Sequence, residues 1–343
     1  MDKVHFKKPF LATGVGSVPH LDAKVVCDFI EDNFQNQIIF WPQLVKRSFS
    51  ENMYVQFSEG IPGVTVDSQA KKIHIDTQAK RFLKEMEESY LHAMNNDDEY
   101  FAISREYAVG FYEMLSRRRM LNGLEYFKGQ VIGPVSFGLT VTDQNNQAVI
   151  YNPDLSEILV KVLAMKAKWQ IKKIKSVNPK LKIIIFIDEP YLVSVGTSFI
   201  SVKKEKIIGD INELINAIHS EGALAGVHCC GNTDWSMVLE TGLDILSFDA
   251  YNYLDNLLLY PAALDKFFND KGRLAWGIIP NDKEFLDNLS VDNLIERITK
   301  AGKENDILKN NGLITPSCGC GTLSESLAEK VHQLAIQVAS KLS

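Results

Sequence analysis

The chain has 343 residues, 45% of them hydrophobic and 23% charged, with a formal net charge of -6 at pH 7. This composition fits a globular protein with a large core, and an acidic balance without a long basic run excludes a general nucleic-acid binder, which needs a cationic stripe to displace counterions from phosphates. The opening MDKVHFKKPFLATGVGS has no apolar segment of signal-peptide length, and no later stretch reaches the ~20 apolar residues of a membrane span, so a cytoplasmic protein with a small-molecule or protein partner is expected.

In chain order, short β-rich runs alternate with longer helical patterns. The runs are FLATGV (10–15), QIIFW (37–41), GQVIG (129–133), KIIIFI (182–187), LAGVH (224–228), DILSF (244–248), RLAWG (273–277) and GLIT (312–315). Stretches such as LSEILVKVLAMKAKWQIKKIK and KIIGDINELINAIHSEG carry apolar residues at three- and four-residue spacing and read as helices between them. Near-continuous apolar strands joined by helices imply a covered parallel sheet, and eight of them favour a closed α/β (β/α)8 TIM barrel over a doubly wound open sheet. Residues 48–76 interrupt the alternation as a loop or hairpin excursion turning at Gly60-Ile61-Pro62-Gly63, followed by helices at about 77–95 and 99–121. With no repeat, low-complexity tract or Pro/Gly-rich linker, residues 1–343 are expected to form one domain.

Polar and soft groups follow nearly every strand, as they do at the active mouth of such a barrel. In a reducing compartment, Cys27, Cys229, Cys230, Cys318 and Cys320 are better explained as metal ligands, reactive thiols or core residues than as a disulfide framework. Cys27 sits in an amphipathic pattern and reads as core. His228 and Cys230 are two apart, so on an extended segment they share a face that Cys229 does not. The run LITPSCGCG supplies a third ligand, Cys318 or Cys320, and the spacing does not choose between them. Imidazole plus two thiolates suits Zn2+, in a three-ligand catalytic site with one open position, or in a closed structural site if Cys320 or Asp249 completes it. Asp188-Glu189, after the fourth strand, must face a polar cavity, a cation or a donor cluster, or else cap a helix or pair with a barrel lysine. A carboxylate at that mouth suits the grip of a substrate ammonium group.

In this order TGVGSVP (13–19), GPVSF (133–137), FIDEPYL (186–192), His228-x-Cys230, LDILSFD (243–249) and TPSCG (315–319) resemble the catalytic half of cobalamin-independent methionine synthase, along essentially the whole chain. The resemblance implies a zinc-dependent methyl transfer to the thiol of homocysteine, giving methionine. It implies His228, Cys230 and Cys318 as zinc ligands, Asp249 in place of a metal-binding glutamate, Asp188 for the substrate amino group, and Gly16-Ser17 for its carboxylate. Three departures shape the expectation. The extra N-terminal barrel that helps to bind methylfolate is missing, so the expected methyl donor is methylcobalamin or a methylated corrinoid protein. The family's histidine after the seventh strand has no counterpart in WGIIPND (276–282), and its second-loop acidic residue is displaced, leaving Glu51 or Glu59. Alternatives are methylation of another small thiol such as coenzyme M, or a lyase similar to uroporphyrinogen decarboxylase, which needs arginines that GVGSVPHLD lacks.

Overall fold

A computed structural model describes residues 6–197, 200–282, 284, 289–305 and 312–343. All eight expected strands are present: β1 Phe10–Ala12, β2 Ile39–Phe40, β3 Tyr126–Ile132, β4 Lys182–Asp188, β5 Leu224–Cys229, β6 Ile245–Phe248, β7 Arg273–Ile279 and β8 Gly312–Pro316. They form one parallel sheet in the order β1-β8-β7-β6-β5-β4-β3-β2. Their apolar runs follow from burial on both faces. One face of the curled sheet gathers Leu11, Tyr126, Ile184, Phe186, Ile245, Ala275 and Leu313 into a small inner core, while the opposite residues join the larger core under the helices.

The chain is thus an α/β fold whose parallel sheet curls in the order of a barrel, and its hydrogen-bonded ladder is not closed. Strands β1 and β2 are three and two residues long. At their seam the amide of Ile38 donates to the carbonyl of Ala12 at 3.0 Å, and the Ala12 amide donates to the Gln37 side chain at 2.7 Å instead of to a strand neighbour. Above the seam, Ser17–Val18 pairs in parallel with Gln43–Leu44. Closure expected from strand counting is therefore corrected: a side-chain amide takes one ladder position, and the strands are too short to extend it.

Helices alternate with the strands as the periodicity predicts. The longest, Pro153–Val177, begins with Asn152 accepting from the Leu155 amide and with proline in its first turn. The excursion contains an antiparallel hairpin, Val64–Asp67 with Lys72–Ile75, to which Thr142–Asp143 adds in parallel. Gly60 and Gly63 have φ of +79° and +70° at the expected turn. The helix expected over 99–121 is instead a 3-10 turn at Asp98–Phe101 and helices at Val109–Ser116 and Arg118–Leu121. The amide of Ser104 is drawn to the Glu59 carboxylate at 2.8 Å, which interrupts helical pairing there. No described helix is long and apolar enough to cross a membrane.

Two helical glycines give opposite predictions. Gly209 lies in helix Lys204–Ser220 with open space where a Cβ would stand, whereas a Cβ on Gly110 would lie 2.0 Å from the Pro42 carbonyl oxygen. Gly209→Ala is expected to stabilise the fold by about 0.5–1 kcal/mol through helix propensity. Gly110→Ala is expected to destabilise it. Thermal melts of the two variants check both signs; stabilisation by Gly110→Ala contradicts the close approach of helix and loop.

Candidate metal centre

Parallel register sets the floor of the site. Asp188 at the end of β4 is level with His228 of β5, and His228 with Ser247 of β6. Alternation along β5 sends His228 to the inner face and Cys229 into the outer core, where burial pushes its thiol up to about 12. Cys318 arrives from the loop after β8. That loop is pinned by the Ser317 amide to the Ile279 carbonyl (2.8 Å), the Asn281 side-chain amide to the Gly319 carbonyl (2.9 Å), and the Cys320 amide to the Ser17 carbonyl (2.9 Å).

The ligand atoms of His228, Cys230 and Cys318 all lie within 4.8 Å of one another. His228 Nδ1 is 2.8 Å from Ser247 Oγ, while its Nε2 is buried with no internal partner. A hydroxyl on one ring nitrogen and an orphaned second nitrogen is the arrangement that fixes an imidazole for metal binding. The two thiols are coupled: a hydrogen bond between Cys318 and Cys230, with His228 beside them, draws the Cys230 thiol down and drives the Cys318 thiol up. Two thiols and an imidazole, one nitrogen unsatisfied, fit zinc.

The remaining expected residues fall into distinct places. Cys320 is not brought to the cluster; bends at Ser317 and Cys318 break the alternation, and Cys320 is buried in the core with its thiol pushed up to about 12. Asp249 also stands outside the group of three, although close enough to Cys230 for the thiolate to raise its pKa behind the larger effect of burial. Its oxygens cap helix Ala250–Leu257 through the amide (2.9 Å) and side chain (2.7 Å) of Asn252. Asp188 and Glu189 part ways. Glu189 is buried and accepts from the Val135 and Ser136 amides and the Ser136 hydroxyl, a cap for helix Pro134–Thr140. Asp188 faces inward with Oδ1 unpartnered, and burial raises it to about 6 against the pull of Lys128 and His228.

A cavity of about 300 Å³ opens over the cluster, bordered by Ser17, Gln43, Met53, Asp188 and Gly319 with His228, Cys230 and Cys318. Gly16 has φ +149° and offers its carbonyl to the Gln43 amide at 3.0 Å, turning the chain so that Ser17 borders the cavity. Ser17 Oγ occupies the place a Cβ on Gly319 would take, 2.1 Å from that position. Glu51 and Glu59 do not border the cavity: Glu51 is buried against the Leu44 amide and Arg47, and Glu59 holds Ser104.

Two residues escaped the sequence reading. Lys128 in β3 is buried beside Asp188, its ammonium bonded to the Val15 carbonyl and, at 3.0 Å, to Gln130, and burial lowers it to about 8. A lysine inside YFKGQVI was the available signal. Ser247, which orients His228, stood in DILSF as the sole hydroxyl of an apolar run. No protein-family model and no curated protein matches the chain.

Ser247→Ala is expected to lower zinc affinity about 10- to 100-fold by releasing the imidazole. Cys320→Ala is expected to leave it unchanged. Competition titrations with a zinc chelator measure both; equal losses contradict the assignment of Cys318.

Proposed function

We propose that this chain is a zinc-dependent thiol methyltransferase that moves a methyl group, from methylcobalamin or a methylated corrinoid protein, to homocysteine to give methionine. The carrying observation is the meeting of a ligand atom from each of His228, Cys230 and Cys318 within 4.8 Å beneath a cavity that Asp188, whose buried Oδ1 has no internal partner, also borders. The proposal treats residues 1–343 as one cytoplasmic domain whose curled sheet serves as a (β/α)8 barrel, with the site at the C-terminal ends of its strands.

His228, Cys230 and Cys318 would hold the zinc. Zinc held there would supply Lewis acidity that lowers the pKa of the acceptor thiol. Asp188 supplies the anion for the acceptor's ammonium group, and its unpartnered oxygen is the atom that the ammonium satisfies. Ser17 and the turn at Gly16 stand across the cavity for the carboxylate. In the transfer, the acceptor sulfur forms its bond to the methyl carbon as the cobalt–carbon bond breaks. The electron pair of that bond stays on the corrinoid, and the thiol proton goes to solvent. A departing cob(I)alamin takes no proton, consistent with a β7 loop whose Asn281 is engaged with the Cys318 loop.

Asp188 favours an amino-acid thiol over coenzyme M, which has no ammonium group. Among the described residues no arginine borders the cavity, which disfavours a decarboxylase acting on a polycarboxylate.

Elemental analysis is expected to find about one zinc per chain, as three protein ligands imply; a protein that never retains zinc overturns the proposal. Cys230→Ser and Cys318→Ser are expected to lose metal and methyl transfer together. Asp188→Asn is expected to keep zinc but weaken homocysteine binding about 10- to 100-fold, the cost of one charge-assisted hydrogen bond. Isothermal titration with homocysteine checks it, and loss of zinc in this variant contradicts the role given to Asp188.

A further inference from the structure

A second cavity, about 570 Å³, adjoins the first. The segment Asn52–Tyr54 forms the partition: Met53 borders the thiol cavity, Tyr54 the outer one, and Asn52 both. The Tyr54 amide donates to Asn52 Oδ1 at 3.0 Å, which fixes this bend. Burial raises the Tyr54 phenol against the opposing pull of the Thr140 side chain.

The outer walls differ in chemistry from the inner ones. They carry Phe49 and Tyr54 with Lys71, Lys72 and His74 of the hairpin. Both lysines are exposed, and neither is paired with a described carboxylate. Asp143 is the acidic member of the lining, and its Oδ1 is taken by the Asn145 and Gln147 amides at 2.8 and 2.9 Å. The lining therefore combines aromatic side chains with a positive balance, two unpaired lysines against one carboxylate, the combination that holds a flat ring bearing an anion.

We propose that the outer cavity binds a planar heteroaromatic group with an anionic tail and is the recognition site for the methyl donor. The inference rests on the methyltransferase reading for the word donor, and on the cavity alone for the ligand chemistry. Its size suits one such moiety and not a whole corrinoid. The base and phosphodiester of a cobalamin's nucleotide tail have this chemistry, and so has a pterin carrying glutamates.

Equilibrium dialysis of the full chain against hydroxocobalamin, cobinamide and folate polyglutamate separates the sources. Cobalamin held more tightly than cobinamide, which lacks the tail, identifies the corrinoid, and retention of folate polyglutamate identifies the pterin. For either ligand, Lys71→Glu/Lys72→Glu is expected to weaken binding about tenfold or more at low salt and to flatten the salt dependence. Zinc content is expected to stay unchanged in this variant. Retention of none of the probes, or equal affinity in the variant, overturns the proposal. Zinc and homocysteine binding, measured on the same samples, separate the two readings: tail binding by a zinc-free protein leaves this cavity's ligand standing and removes the methyltransferase.

Discussion

The register of parallel strands is the constraint on which the site depends. Because β4, β5 and β6 pair in parallel, Asp188, His228 and Ser247 fall in one row at the same end of the sheet. A parallel sheet gives neighbouring strands the same direction, so every loop leaving a strand's C-terminal end emerges on one side. Cys318, far from Cys230 in sequence, is delivered to it by this rule and by the hydrogen bonds from Asn281 and Ser317 that hold its loop. Shifting β5 by one residue would turn His228 toward the outer core and Cys229 inward.

The polar interior has a cost that the fold meets unevenly. Lys128 and Asp188 are both buried, and burial displaces each toward its neutral form while the partner's charge opposes that displacement. Glu189, next to Asp188, is fully satisfied by helix-terminal donors. Asp188 Oδ1 and His228 Nε2 are not. Of the described buried polar atoms without internal partners, these two belong to the side chains that also border the cavity over the cluster, which makes that spot the candidate for a group from outside the chain. The neighbouring acidic residues show how position alone divides scaffold from site.

The eight strands were legible because doubly buried parallel strands must be apolar along their length, and KIIIFI or LAGVH fit few other structures. The pairing of His228 with Cys230 followed from the two-residue period of an extended chain. What was not legible arose where tertiary contacts override local pattern. The ladder ends at the seam of β1 and β2 because a Gln37 side chain substitutes for a backbone partner, which strand counting does not register. The break between residues 101 and 109 depends on Glu59, more than forty positions away. Cys318 and Cys320 look equivalent in SCGC, and the bend at Ser317 and Cys318 separates them into a member of the cluster and a core residue. The role of Lys128 is not legible in YFKGQVI because it depends on Asp188 of the neighbouring strand, which only the folded sheet places beside it.

The account turns on one shell of atoms, and X-ray absorption at the zinc edge of the metal-loaded protein reads that shell directly. It predicts two sulfur scatterers at about 2.3 Å and one imidazole nitrogen at about 2.0–2.1 Å contributed by the protein, with one sulfur lost in Cys318→Ser and none in Cys320→Ala. A shell of oxygen and nitrogen alone, or one that loses sulfur with Cys320 and not with Cys318, would contradict it.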